Sequence, residues 1–465
     1  MGHSPRWPKY REREIPQHTL ALLQRDMIVL EGGEFERLAS WGELTSLMFD
    51  RNLLTFTHDW TADAGFPWVY EALTDPNATI LCTETGGIRQ IEVKQGRKRR
   101  RICLLWEGLR HDNRPLNTLR EIYSYHAVGD RPSPGSMGQA LQRASWWYHH
   151  GNAHMHTRPP LACTVDLKIY GVGARNELYS PGNYQNIHQL DQRGAFSAQC
   201  YSVPAGTACH ALSGSTKKET GMVSFREMVV TIHTELERGI FPCRAESAQG
   251  RQPRIYWPTE PGTYHTWLWG EQVADAEAVG CTVKLGRGWY WHRLTNDLAE
   301  WAELMDMLRL NAPDSIGGGW SKLFTVAAIG WHGIQADSYT LHSYDDALHT
   351  DAPLCMTNGD MWYLRKHINP DHNHQTPWDS YIRMQAMRAV AAKADEHNNL
   401  GVLAIRTDAV VLEHAPTGYA VAGTREAHHL KMGEWKLEQH TNVTLGPGPR
   451  FVSDQARREP GRKRT

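Results

Sequence analysis

The chain has 465 residues, 40% hydrophobic and 22% charged, and its 50 basic side chains against 51 acidic ones leave a formal net charge of −1. With a mean hydropathy of −0.55, and no run near the roughly 18 apolar residues of a membrane span, this excludes a membrane protein, a disordered chain, a collagen and a uniformly basic binder. It leaves room for a nucleic-acid enzyme whose positive charge is confined to a groove.

At roughly 150 residues per domain, the length suggests about three domains. The opening MGHSPRWPKYRERE has no apolar core of a secretory signal, so a cytoplasmic protein is expected. The first 50 residues are polar and lean to helix. Residues 78–106 read as strands, with RQIEVKQGRKRRRICLLW alternating around a turn at Gln95-Gly96. That hairpin carries Lys94, Arg97, Lys98, Arg99, Arg100 and Arg101, which suit either a solvated tip or a phosphate-contacting edge. The stretch GDRPSPGSMG (129–138) marks a boundary. His149, His150, His154 and His156 follow it. No carboxylate or thiol lies beside them, and only His150 and His154 have helical ligand spacing, which argues against a metal site.

From residue 160 the pattern reads as strands, ACTVDLKIYG and then NYQNIHQLDQRGAF. Residues 295–310 form an amphipathic helix capped by Thr295 or Asn296, with Leu298, Trp301, Met305 and Leu308 on one face. A second helix starts at TPWD, with Thr376 as N-cap, Pro377 at N1 and Asp379 at N3, and stops at Asn398-Asn399 and Gly401. VLAI and AVVLE then flank Arg406-Thr407-Asp408 as two apolar strands around a polar turn. The tail ARREPGRKRT is basic. The eight cysteines form no Cys-x-x-Cys pair, so a zinc ribbon is excluded and reduced core thiols are expected. The 18 tryptophans suit sugar or base stacking, but core packing is the commoner use.

Two carboxylates stand where strands end, Asp191 and Asp408. If folding joins them, their hard oxygens suit Mg²⁺, leaving coordination positions for substrate phosphates. Two such ions about 4 Å apart activate a 3'-hydroxyl and neutralise pyrophosphate. Between them lies GGGWSKLFTVAAIG (317–330), which places Lys322 and Gly330 on one helix after a glycine entry, a suitable triphosphate clamp.

In the order of these segments the chain resembles the family B DNA polymerases over about residues 165–450. Gly173-Ala174-Arg175-Asn176-Glu177 resembles the family's Tyr-x-Gly-Gly-Arg segment. Asp191-Gln-Arg-Gly-Ala-Phe196 is similar to motif A, an Asp followed five residues later by Tyr. Lys322 to Gly330 is similar to motif B, and Arg406-Thr407-Asp408 resembles the Asp-Thr-Asp of motif C. The helix PWDSYIRMQAMR and the segment KMGEWKLE (431–438) also look like their family counterparts. The departures are specific. Arg406 replaces the first Asp of motif C; Val326, Ala327 and Ile329 replace the Asn, Ser and Tyr of motif B; Phe196 replaces the Tyr of motif A.

The resemblance implies an α+β fold of right-hand architecture. Its expected divisions are an N-terminal domain at 1–160, palm at 161–295 and 346–420, fingers at 296–345, and a thumb-like segment with basic tail at 421–465. It implies Asp191 and Asp408 as ligands of two Mg²⁺ ions, with Mn²⁺ as a substitute. Lys322 would contact the triphosphate and protonate pyrophosphate, Arg309 would be a second phosphate contact, and Phe196 the sugar gate. Gly173 and Arg175 would meet the template, and Lys436 the primer phosphates. The partners implied are primed DNA, deoxynucleotides and, in a short phage or mobile-element branch, a protein primer, with no membrane; the cytoplasm would be that of a bacterial host. THDWTAD (57–63) and LEGGE (30–34) do not fit the family's Asp-x-Glu exonuclease signature, so a reduced RNase H-like domain without proofreading is expected. Three rival readings are a catalytically retired polymerase-like DNA-binding subunit, favoured by Arg406; a carbohydrate-active enzyme, favoured by the tryptophans; and a metal-dependent nuclease using the His cluster.

Overall fold

The computed structural model describes residues 18–60, 66–82, 88–105, 109, 112, 114–125, 159–171, 175–205, 209–213, 223–244, 255–312, 318–333, 337–343, 354–357, 360–368, 375–446 and 452–453. The chain forms two compact units, Met1–Ala153 with Asn311–His372, and His154–Leu310 with Asn373–Thr465. Helices and mixed sheets make both, which agrees with the expected α+β class.

The first unit is built on a ten-stranded sheet. Its first strand, Thr19–Gln24, pairs in parallel with Leu53–Thr57, which pairs in parallel with Lys98–Leu104. The helix-leaning reading of the first 50 residues is corrected here, since Thr19–Gln24, Met27–Leu30 and Phe35–Arg37 are strands. Thr19–Gln24 has four consecutive buried residues, because a strand paired inside a sheet covered on both faces shows no alternation. Helix Trp41–Asp50 follows; Ser40 accepts from the Glu43 amide, and the Glu43 carboxylate accepts from the Ala39 amide at 2.7 Å. Its Trp41, Leu44 and Met48 enter the core with Phe66 and Ile91.

The basic hairpin forms as expected, Ile88–Gln95 against Lys98–Leu104, with Gly96 at φ +60°. Its arginines are largely spent internally. Arg99 and Arg101 pair with the well-covered Glu92, and Arg100 lies 5.3 Å from the Phe49 ring centroid.

Strands from the segments expected as fingers and as the second part of the palm join this unit's sheet. The strand Asp337–Ser343 pairs with Ala78–Cys82 and with Asp360–Ile368, so these two strands extend the N-terminal sheet. An open strand edge needs a partner for its backbone groups, and this segment supplies it. The helix Ala299–Leu310, expected with Lys322 in one segment, belongs to the second unit.

In the second unit a seven-stranded sheet carries Asn176–Leu178, Gly182–Gln192, Val402–Arg406, Ala409–Leu412 and Trp435–Leu445. A four-stranded sheet carries Cys209–Leu212, Thr282–Trp291, Val223–Ile232 and Gly262–Trp269. The helix Thr376–Glu396 serves both. Its Tyr381, Met384 and Met387 pack among Trp267, Trp269, Trp289 and Trp291, and its Val390 and Ala394 pack on Leu190, Ile405 and Val410. These tryptophans are core residues, and two of them have satisfied N–H groups: Trp269 donates to Ser380 at 3.2 Å and Trp289 to Asp166 at 2.8 Å. The helix begins at Thr376 with Gln375 as its cap, one residue earlier than expected, and the Gln375 side chain makes no capping bond. The face of Ala299–Leu310 is as expected, with Leu298, Trp301, Met305 and Leu308 all buried.

Leu161–Tyr170 is a helix, where strand was expected. Cys163, Asp166, Leu167 and Tyr170 recur at helical spacing and turn inward, and that periodicity overrides the short apparent alternation. Cys103, Cys163, Cys200, Cys209, Cys243 and Cys281 are free, with the Cys163 and Cys209 sulfurs 3.3 Å apart.

Candidate active site

Strand Gly182–Gln192 runs between two partners. On one side Asp191 stands opposite Ala409, and on the other opposite Lys436. The hairpin Val402–Arg406 and Ala409–Leu412 turns at Thr407-Asp408, where Thr407 takes φ +32°. Two backbone bonds fix that turn. The Thr407 amide donates to the Arg175 carbonyl at 2.7 Å, and the Gln192 amide donates to the Asp408 carbonyl at 2.9 Å. Asp191 and Asp408, 217 residues apart in sequence (408 minus 191), therefore lie at the same end of adjacent strands. After Asp191 the chain turns through Gly194, at φ +60°, into the short helix Ala195–Ala198 that carries Phe196. Glycine takes that left-handed conformation at the least cost, and a Cβ there would also crowd Met432.

Four cationic side chains surround this end of the sheet. Lys436 Nζ is 2.9 Å from Asp191 Oδ2 and also pairs with Glu438. Burial opposes that ammonium, but its bonds to Glu438 and Asp191 prevail and hold its pKa above the ordinary lysine value. Arg309 ends the helix Ala299–Leu310. Burial first, then Arg193, lowers its pKa, while Asp306, Asp191 and Asp408 oppose the shift, so all three carboxylates act on it. Arg193 is 6% exposed and donates to Asp306 at 2.6 Å; its Nη1 is buried without a hydrogen-bond partner among the described residues. Arg406 carries a pKa lowered by burial.

The donor set fits a hard divalent ion. Asp191 and Asp408 supply carboxylate oxygens, and one of those oxygens already binds a cationic group. Among the described residues no cluster of three or more His, Cys, Asp or Glu side chains forms a closed metal cage. Two carboxylates completed by water and phosphate is the arrangement Mg²⁺ favours.

Phe196 is half-buried, and the Arg383 guanidinium lies 5.6 Å from its ring centroid. Arg383 Nε donates to Asp379 at 2.7 Å, one helical turn back. Burial pushes the Asp379 carboxyl up to about 6 despite that arginine. Arg193, Asp306, Asp379 and Arg383 were missed from sequence. Two signals for them were available: Arg193 stands two residues after Asp191, and Asp379 and Arg383 have i,i+4 spacing.

Arg175, expected against the template, is 2% exposed. It pairs with Glu177, donates to the Gly239 carbonyl at 2.6 Å and lies 4.2 Å from the Trp257 ring centroid. A buried guanidinium keeps its hydrogen bonds within the protein, so this side chain braces the loop behind the Asp408 turn. Lys436, expected against primer phosphates, is engaged by Asp191 and Glu438. Lys322 is exposed on helix Gly318–Gly333 with Gly330, as expected, and belongs to the first unit. Gly173 and the histidines at 149–156 lie outside the described residues.

No family model matches the chain, and no curated protein matches it. Solved structures do. The chain is similar to phi29 DNA polymerase in an orthorhombic crystal form, with a TM-score of 0.65 at 10% identity, covering 94% of this chain and 89% of that one. It is also similar to phi29 DNA polymerase complexed with primer-template DNA, and to the ternary complex with incoming nucleotide substrates. Both give a TM-score of 0.64 at 11% identity over 92% of this chain and 85% of the other. The chain has the fold of these polymerases along nearly its whole length.

Proposed function

We propose that this protein is a DNA-directed DNA polymerase that adds deoxynucleotides to a primer 3' end by two-metal-ion nucleotidyl transfer. The observation that carries the reading is the meeting of Asp191 and Asp408 on adjacent strand ends in a chain with a polymerase fold. Asp191 and Asp408 would hold Mg²⁺, or Mn²⁺ in its place; bound there, the ions supply the charge that activates the primer hydroxyl and neutralises pyrophosphate.

The chain's own groups take the remaining roles. Arg309, half-buried and always charged, binds triphosphate oxygens in a setting where water screens it poorly. Phe196 underlies the deoxyribose and excludes a 2'-hydroxyl, which favours DNA over RNA synthesis. Lys322 and Gly173 keep the triphosphate and template contacts that the resemblance gives them. Residues 1–160 are read as a reduced RNase H-like domain without proofreading. Primed DNA and deoxynucleotides are the partners, and a protein primer belongs to the same reading. Among the described residues no helix is long and apolar enough to cross a membrane.

Primer extension with Mg²⁺ tests the proposal, comparing the natural chain with Asp191→Ala and Asp408→Ala. Extension by the natural chain, lost in both variants while DNA binding persists, is the expected result. Retained incorporation by Asp408→Ala would sink the assignment. DNA binding without extension by the natural chain would instead identify a retired polymerase fold.

A further inference from the structure

Lys436 and Asp191 face each other directly across an antiparallel ladder, and their side chains are 23% and 15% exposed. Little water reaches the pair, so neither charge is easily left uncompensated. Two residues along the same strand, Glu438 projects from the same face. It pairs with Lys436, accepts from Gln189 Nε2 at 3.3 Å, and has His440 Nε2 at 3.8 Å. One ammonium is thus shared between two carboxylates of unequal standing: Asp191 beside Asp408, and Glu438 held apart from them by its own neighbours. The proposed site gives Asp191 the task of binding a divalent ion, yet Oδ2 already has a cation at hydrogen-bonding distance.

We infer that Lys436 is a tethered counterion of the metal site, holding Asp191 until a divalent ion replaces it and then resting on Glu438 alone. The inference rests on the metal reading of Asp191. The exchange needs only side-chain rotation about the long lysine stem, because ladder bonds fix both backbones. Neither state strands the ammonium. In the first it bridges Asp191 and Glu438; in the second the ion would neutralise Asp191 and Glu438 would keep the ammonium to itself. Lys436 and Glu438 therefore set metal affinity in opposite directions, Lys436 by competing for Asp191 and Glu438 by drawing the competitor away.

The test is Mn²⁺ binding to the full chain without DNA or nucleotide, followed by electron paramagnetic resonance of the free ion. Lys436→Met is expected to bind Mn²⁺ about fivefold tighter than the natural chain, and Glu438→Gln about fivefold weaker. The double variant is expected to match Lys436→Met, since Glu438 acts only through the lysine. Thermal melts of each variant establish that it is folded. Asp191→Asn separates the two levels of the argument. If it leaves Mn²⁺ binding unchanged, the metal reading of Asp191 falls. If it removes binding while Lys436→Met and Glu438→Gln bind as the natural chain does, or shift in the same direction, the counterion role is overturned and the site stands. A double variant as weak as Glu438→Gln would make Glu438 a metal ligand and also overturn it.

Discussion

Arg383 lays its guanidinium over the ring of Phe196, 5.6 Å from the centroid, while its Nε is held by Asp379. The ring proposed to exclude ribose is therefore pinned from the helix Thr376–Glu396, by a residue 187 positions away in sequence (383 minus 196). A cation over an aromatic face contributes about 0.5–2 kcal/mol. Arg383→Ala should therefore loosen the ring and raise the ratio of ribonucleotide to deoxynucleotide incorporation by about three- to tenfold. Phe196→Val should raise it further. Single-nucleotide competition assays measure both ratios, and an unchanged ratio in Arg383→Ala would separate the arginine from sugar selection.

Asp379 gives the same helix a pH dependence. Its carboxyl is raised to about 6, so the folded chain holds that proton more tightly than the unfolded chain, whose carboxyl titrates near the ordinary 3.8. The resulting stability is fully present below about pH 4 and is lost as pH rises through about 6. Asp379→Asn has no such proton to lose. Its Tm relative to the natural chain should rise as pH goes from about 4 to about 7. Melting curves across that range check the sign, and a flat difference would place the Asp379 carboxyl at its ordinary value.

Arg175 separates a bracing role from a nucleic-acid contact. Removing one partner of a buried ion pair costs about 3–5 kcal/mol, because the other charge is left uncompensated. Arg175→Ala should therefore lower stability by about that amount in urea unfolding, through stranded Glu177 and the lost packing on Trp257. A template contact would show the opposite pattern, with stability unchanged and the salt dependence of DNA binding reduced by about one ion.

How far the sequence reached depended on the range of the interactions involved. Local rules placed the face of Ala299–Leu310, the hairpin around Gly96, the helix carrying Lys322 and Gly330, and the turn holding Asp408, since each follows from side-chain period and turn chemistry within a dozen residues. Leu161–Tyr170 was misread because ten residues carry both a weak alternation and a helical stripe, and only packing against the tryptophan sheet selects one. Thr19–Gln24 escaped because a strand covered on both faces has no polar alternation to reveal it.

Residue type and order alone determined the two carboxylates, the aromatic five residues after the first, and the lysine helix between them, since the choice of ligand oxygen, ring or ammonium is written into the chain. Tertiary structure decided who partners whom. It set Lys436 on Asp191 and Glu438, Arg383 over Phe196, Arg193 on Asp306, and Arg175 inside the core. The physical reason is that a charge's effect depends on distance and burial. Strand register fixes the distances and core packing fixes the burial, across separations of up to 245 residues (436 minus 191) that no local pattern spans.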